Sequence, residues 1–114
     1  MADPRRGEIW FVDFDPTRGH EQAGRRPALV VSTDGFNTSA ADLVVVLSLT
    51  TKQKGIPWHV PIKPPEGGLK RASFAKCEDV RSIAKERFER RLGAVSAKTL
   101  NEVKRRLQIL LELP

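Results

Sequence analysis

The segment Thr17–Pro27 (TRGHEQAGRRP) concentrates more chemistry than any other stretch of this sequence. It carries Arg18, Arg25 and Arg26 against a single acid, Glu21, and adds His20 and Gln22 as hydrogen-bonding side chains. A guanidinium presents parallel N–H donors that match two oxygens of one phosphate. Gly19 and Gly24 free the backbone to adapt around a ligand. Any one of these arginines alone would read as a solvated loop charge. Together, on a loop whose ends are held by strands, they read as an anion-binding element. A second candidate is Ser48–Lys54 (SLTTKQK), where Thr50 and Thr51 supply hydroxyls and Lys52 and Lys54 supply charge. Alone this signal is weak, because paired threonines at a strand end are ordinary sheet and turn chemistry. It gains weight if the loop folds beside Arg26.

The elements that must position these groups are mostly strands. Glu8–Phe14 (EIWFVDF) is rich in aromatic and β-branched residues, with Trp10, Val12 and Phe14 on one face. Pro27–Ser32 is a second strand. Asp34–Ala41 reads as loop with a short helical turn. Leu43–Leu49 (LVVVLSL) is a continuous apolar run, the mark of a central strand. Trp58–Ile62 follows, then the turn signal PPEGG at Pro64–Gly68. Ala72–Val80 continues the sheet, ending near Arg81, and Arg91–Val95 adds a last short strand. Ser96 is a helix N-cap, after which Leu100, Val103, Leu107 and Leu110 recur at helical spacing. The sum is a strand-rich α+β domain, mainly β, with an amphipathic C-terminal helix. Short strands and frequent turns favour a bent barrel over a flat sheet.

The chain has 114 residues, which suits one domain over 1–114. Lysine and arginine number 20 against 14 acids, a net charge of +6. That excess points to a polyanionic partner: nucleic acid, an acidic protein segment, or an anionic membrane surface last. Cys77 is the only cysteine, so no intrachain disulfide forms, and with two histidines a closed zinc site is not expected. No cofactor is implied. The start, MADPRRGE, has no apolar run behind its arginines, and no stretch approaches a membrane span. A cytoplasmic chain is expected.

Arg5–Ser32 (RRGEIWFVDFDPTRGHEQAGRRPALVVS) resembles the opening of the MazF/PemK toxins, the ribonuclease halves of bacterial toxin–antitoxin pairs. That family's pattern, RGEI-W-VDLDP, then G-S-E-Q, then RP-LV-S, is matched by Arg6–Trp10, Val12–Pro16, Gly19 with Glu21–Gln22, and Arg26–Ser32. The similarity continues through LVVVLSLT, PWHVPI and CEDVRSIAKERF to RLGAVSAKTLNEVKRRL at Arg91–Leu107. It implies an SH3-like barrel with added helices, a homodimer, and metal-independent cleavage of single-stranded RNA such as mRNA within short sequence motifs. The implied products are a 2′,3′-cyclic phosphate and a 5′-hydroxyl. An acidic MazE-like antitoxin would mask the site. The family's arginine before proline falls on Arg26 and its threonine after the apolar strand on Thr50, so these are the implied catalytic residues. Glu21 and Gln22 match the loop as RNA-contacting or loop-ordering residues. Arg18, Arg25, Thr51, Lys52 and Lys54 join them as candidate RNA contacts.

Attack by a 2′-OH on its own phosphate needs a base, charge on the crowded phosphorane, and an acid for the leaving oxygen. Arg26 fits the charge role and Thr50 can donate to a phosphoryl oxygen. Neither is an apt proton carrier, since a guanidinium stays protonated. His20 departs from the family's serine, and an imidazole exchanges protons near neutral pH. Two readings of His20 stand: assistance in catalysis, by proton transfer or by stacking on a base, and an exposed loop histidine. Asp79 stands where the family has glutamine, which bears on specificity. Arg81 reads equally as an ion-pair partner and as an RNA contact. Trp10 reads as core, Trp58 as core or a base platform, His59 as structural, and Cys77 as buried packing. Two other classes compete: a CcdB-like binding toxin that poisons gyrase on the same fold, and a non-catalytic RNA-binding regulator. Arg26 together with Thr50 argues against the former, which needs neither.

Overall fold

A computed structural model describes residues 2–14 and 24–114. The strands are β1 (Glu8–Asp13), β2 (Arg25–Val30), β3 (Leu43–Thr50), β4 (His59–Ile62), β5 (Ser73–Ala84) and β6 (Phe88–Ala94). A one-turn helix α1 (Asp34–Asn37) joins β2 to β3, and the chain closes on α2 (Ala97–Leu110). The strands form one antiparallel sheet in the order β4-β5-β3-β2-β1-β6. The apolar run of β3 lies inside the sheet, as expected of a strand with no polar face.

Both faces of the sheet are buried, and each takes alternate residues. On one face Ile9, Leu29, Leu47, Leu49, Val60, Ile62, Ala75 and Cys77 form a cluster with Val103 of α2, and Leu92 of β6 packs against it. Contributions from both edge strands to one cluster require a curled sheet. Laid flat, six strands would set β4 and β6 about 24 Å apart. The sheet is therefore barrel-like but open between β4 and β6. On the other face Trp10, Val12 and Phe14 join Ala28, Val30, Val44, Val46, Ile83 and Phe88. The expected shared face of Trp10, Val12 and Phe14 is thus a core face.

The open seam is plugged by the PPEGG turn. Gly67 and Gly68 take positive φ of 68° and 70° and lie against β6. A Cβ on Gly68 would fall 1.8 Å from the Leu92 carbonyl oxygen, so only glycine permits the approach. From the same turn Glu66 accepts a 2.9 Å hydrogen bond from the Ser96 backbone N–H, just ahead of α2. Ser96 caps α2 as expected, accepting from the Thr99 N–H at 3.2 Å. One short turn therefore fixes both the last strand and the helix to the barrel.

Two strands differ from expectation. β5 runs on to Ala84, and β6 begins at Phe88. In the β3–β5 ladder Leu47 faces Val80 while Leu49 faces Ala75, so β5 carries extra residues there. This irregularity exchanges which side chains point to which face. It takes Asp79 off the face of Ala75 and Cys77, whereas Lys76 and Glu78 point away from the first cluster by ordinary alternation.

Candidate active site

β2 and β3 pair with Ala28 opposite Ser48 and Val30 opposite Val46. Continuing that register two residues within the same strands sets Arg26 opposite Thr50. Alternation gives both the face of Ala28 and Ser48. A cleft of about 380 Å³ lies over this end of the sheet. Arg26, Thr50, Thr51, Lys52 and Lys54 all line it, so the two segments singled out in the sequence meet. Arg71, Ser73, Lys76, Glu78 and His59 complete the walls. Five cations, Arg26, Lys52, Lys54, Arg71 and Lys76, therefore face one carboxylate, Glu78. Cations gathered in a concave wall concentrate anions there.

The loop after Thr50 is tied down at its far end. The Arg106 Nε of α2 donates to the Pro57 carbonyl at 2.9 Å, and Trp58 packs against the first core cluster. Trp58 is thus core-packed. Within the loop the Thr50 hydroxyl accepts from the Lys52 N–H at 3.2 Å, which leaves its own proton available to a ligand oxygen.

His59 is structural, as read, but it stands in the cleft wall. Its side chain is 4% exposed, with Nε2 2.8 Å from Glu78 Oε2. Its Nδ1 is buried without a hydrogen-bond partner among the described residues. Arg71, Ser73, Lys76 and Glu78 were not signalled by the sequence. Their place in the wall depends on the β4–β5 connection and the pairing of β5 with β3 and β4, which no local pattern announces.

Two expected contacts lie elsewhere. Arg25 does not line the cleft: its Nε meets Glu89 Oε2 of β6 at 2.6 Å, and Nη2 lies 4.0 Å from Asp13. Arg81 is also outside it, donating through Nε and Nη2 to the two oxygens of Asp79 at 3.1 Å each. Its guanidinium stacks over Phe14, 4.5 Å from the ring centroid. Asp79 accepts as well from the Ser48 hydroxyl, and Lys76 lies 3.8 Å away. Burial alone would raise the Asp79 pKa. The hydrogen bonds from Arg81 and Ser48 and the nearby Arg81 and Lys76 charges hold it below the usual carboxylate value. Asp79 is thus the hub of a packed ion-pair network. The ion-pair reading of Arg81 is the one the geometry favours. Cys77 is buried and its thiol is pushed up to about 11 by desolvation, which makes it an unreactive packing residue. Arg18, His20, Glu21 and Gln22 lie outside the described residues.

Among the described residues no three His, Cys, Asp or Glu side chains are grouped to hold a metal ion. No helix among them is long and apolar enough to cross a membrane.

The family described as PemK-like, MazF-like toxin of type II toxin–antitoxin systems matches residues 5–111. Endoribonuclease MazF9 of Mycobacterium tuberculosis is 41% identical, over 96% of this chain and 97% of that protein. Endoribonuclease toxin MazF of Escherichia coli K12 is 35% identical, over 95% and 94%. Among solved structures, MazF from Deinococcus radiodurans superposes with a TM-score of 0.87 at 31% identity, covering 98% of this chain and 99% of that one. A MazE–MazF complex from the same organism gives a TM-score of 0.82 at 32% identity, covering each chain fully.

Proposed function

From the premise that this chain belongs to the PemK-like, MazF-like toxins and is an endoribonuclease, we propose how and where it cuts RNA. The substrate is single-stranded RNA, and the reaction is attack by a ribose 2′-OH on the adjacent phosphate. It leaves a 2′,3′-cyclic phosphate and a 5′-hydroxyl and needs no metal. The observation that carries this reading is that Arg26 and Thr50, on the paired strands β2 and β3, line one basic cleft.

Each residue has a task. Arg26 holds the non-bridging oxygens and stabilises the charge that builds on the phosphorane. Thr50 donates its hydroxyl proton to a phosphoryl oxygen. Thr51, Lys52 and Lys54 attract and seat the strand, with Arg18, Glu21 and Gln22 of the preceding loop contacting flanking bases. Proton transfer falls to an imidazole, the side chain suited to it near neutral pH. His59 is a poor choice, because Nε2 is taken by Glu78 and Nδ1 is buried. That leaves His20.

A small acidic MazE-like antitoxin is the partner by analogy with the MazE–MazF complex, its extended segment lying in the basic cleft. We further propose a homodimer working in the cytoplasm. The test is direct. Purified protein in excess EDTA should cut a long RNA at specific sites, and Arg26→Ala and Thr50→Ala should each abolish those cuts. Binding without cutting would instead favour a regulator. Gyrase inhibition without cutting would favour the CcdB-like alternative. An unchanged pH–rate profile in His20→Ser would remove His20 from the proton transfer.

A further inference from the structure

Glu78 shares its cleft with five cations, yet among the described residues it forms an ion pair with none of them. A carboxylate in such company is drawn onto the nearest cation, where it cancels a charge that a phosphate would use. Lys76 is the cation best placed for this. It lies two residues away on β5, and alternation sets both side chains on one face. Their Cα atoms are then about 7 Å apart, within reach of two long side chains. The structure shows a different pairing. Glu78 Oε2 lies 2.8 Å from His59 Nε2, and Lys76 lies 3.8 Å from Asp79. Asp79 does not stand in for Glu78 in cancelling Lys76, because Arg81 and the Ser48 hydroxyl already occupy it.

His59 faces Lys76 directly across the β4–β5 ladder, which makes Glu78 its diagonal neighbour on the same face. The imidazole is 4% exposed and the Glu78 side chain 36%, so the ring is the fixed partner and the carboxylate the held one. The backbone at His59 is fixed as well, its N–H donating to the Ile56 carbonyl at 3.0 Å. A carboxylate accepts, so Nε2 is the donor of the pair. Nδ1 is buried with no hydrogen-bond partner, which leaves Glu78 as the only polar side chain the ring engages. As packing alone, an imidazole with an unsatisfied nitrogen is a costly choice, since an apolar ring fills the same space without that loss. Resting on the reading that this cleft seats RNA phosphates, we propose that His59 is a positioning residue. It holds the Glu78 carboxylate on the β4 side of the wall and so keeps Lys76 charged toward the RNA.

The test reads binding without turnover, by fluorescence anisotropy across a salt series, on an oligoribonucleotide with a 2′-deoxy sugar at the mapped cut. His59→Phe frees Glu78 to neutralise Lys76. Kd should rise about fivefold near 0.1 M salt, and the slope of log affinity against log salt should fall by about 0.7, the loss of one single-strand phosphate contact. His59→Gln, which returns an N–H donor to Glu78, should bind like wild type. Glu78→Gln added to His59→Phe should restore both Kd and slope, a rescue that a merely structural role for His59 would not give. Glu78→Gln alone leaves the core intact and should keep the wild-type slope, because a held carboxylate cancels no cation. A slope that steepens by about 0.7 in Glu78→Gln alone would overturn the proposal. So would an unchanged Kd in His59→Phe, or equal weakness in His59→Phe and the double variant. Wild type that fails to bind this RNA would refute the reading of the cleft itself, and the role of His59 with it.

Discussion

At the scale of single residues, the account turns on how unlike neighbours are assigned. Arg25 and Arg26 are adjacent and identical in type, yet alternation on β2 sends them to opposite faces. Arg25 meets Glu89 and Asp13, while Arg26 enters the cleft. Arg26→Ala should therefore lower kcat at least about a hundredfold, the loss typical of a transition-state donor, whereas Arg25→Ala should leave kcat near wild type. Steady-state cleavage of one mapped oligonucleotide measures both. Asp79 predicts a different kind of loss. Asp79→Ala strands Arg81 and Lys76 in a mostly buried network and should destabilise the fold by about 3 kcal/mol, read by denaturant unfolding. Its pKa is lower in the folded chain than in the unfolded one. Its contribution is thus fully present above the unfolded value of about 4 and is lost as pH falls through the folded value. The stability gap between wild type and Asp79→Asn should accordingly hold constant above about pH 4 and close below it. A gap that widened on acidification would contradict this assignment.

At the scale of elements, the PPEGG turn does more than reverse the chain. It lies against β6, fills the seam that the sheet leaves open, and anchors the start of α2 through Glu66. Gly68→Ala combines a disfavoured positive φ with a backbone clash and should cost about 2 kcal/mol or more. Thermal unfolding would show it, and a neutral result would mean the seam is not closed this way. Much of this level was legible in advance. The apolar run of β3, the aromatic alternation of β1 and the Ser96 cap are local signals, and each element formed where its signal lay. The junction of Arg26 with Thr50 was legible only through family resemblance, because register is a property of two strands and neither strand alone encodes it. Arg71, Lys76 and Glu78 were not legible at all. They are brought to the cleft by pairing between strands, which no single segment encodes.

At the scale of the whole molecule, a net charge of +6 becomes a groove rather than a diffuse field. Five cations line the cleft of Arg26 and Thr50. RNA binding should weaken steeply with salt as counterions are released. Lys52→Ala/Lys54→Ala should reduce the slope of log affinity against log salt by about 1.4, near 0.7 for each lost phosphate contact on a single strand. Fluorescence anisotropy on catalytically silent Arg26→Ala would report it, and an unchanged slope would remove both lysines from the phosphate path. The central claim is narrower than the field that surrounds it: the nucleophile is the RNA's own 2′-OH, seated between Arg26 and Thr50. The most direct measurement is cleavage, in excess EDTA, of an oligonucleotide that is RNA throughout except for one 2′-deoxy sugar on the 5′ side of the mapped cut. The account predicts that this single substitution abolishes the cut while the all-RNA control yields a 2′,3′-cyclic phosphate. Continued cutting at that bond would contradict it.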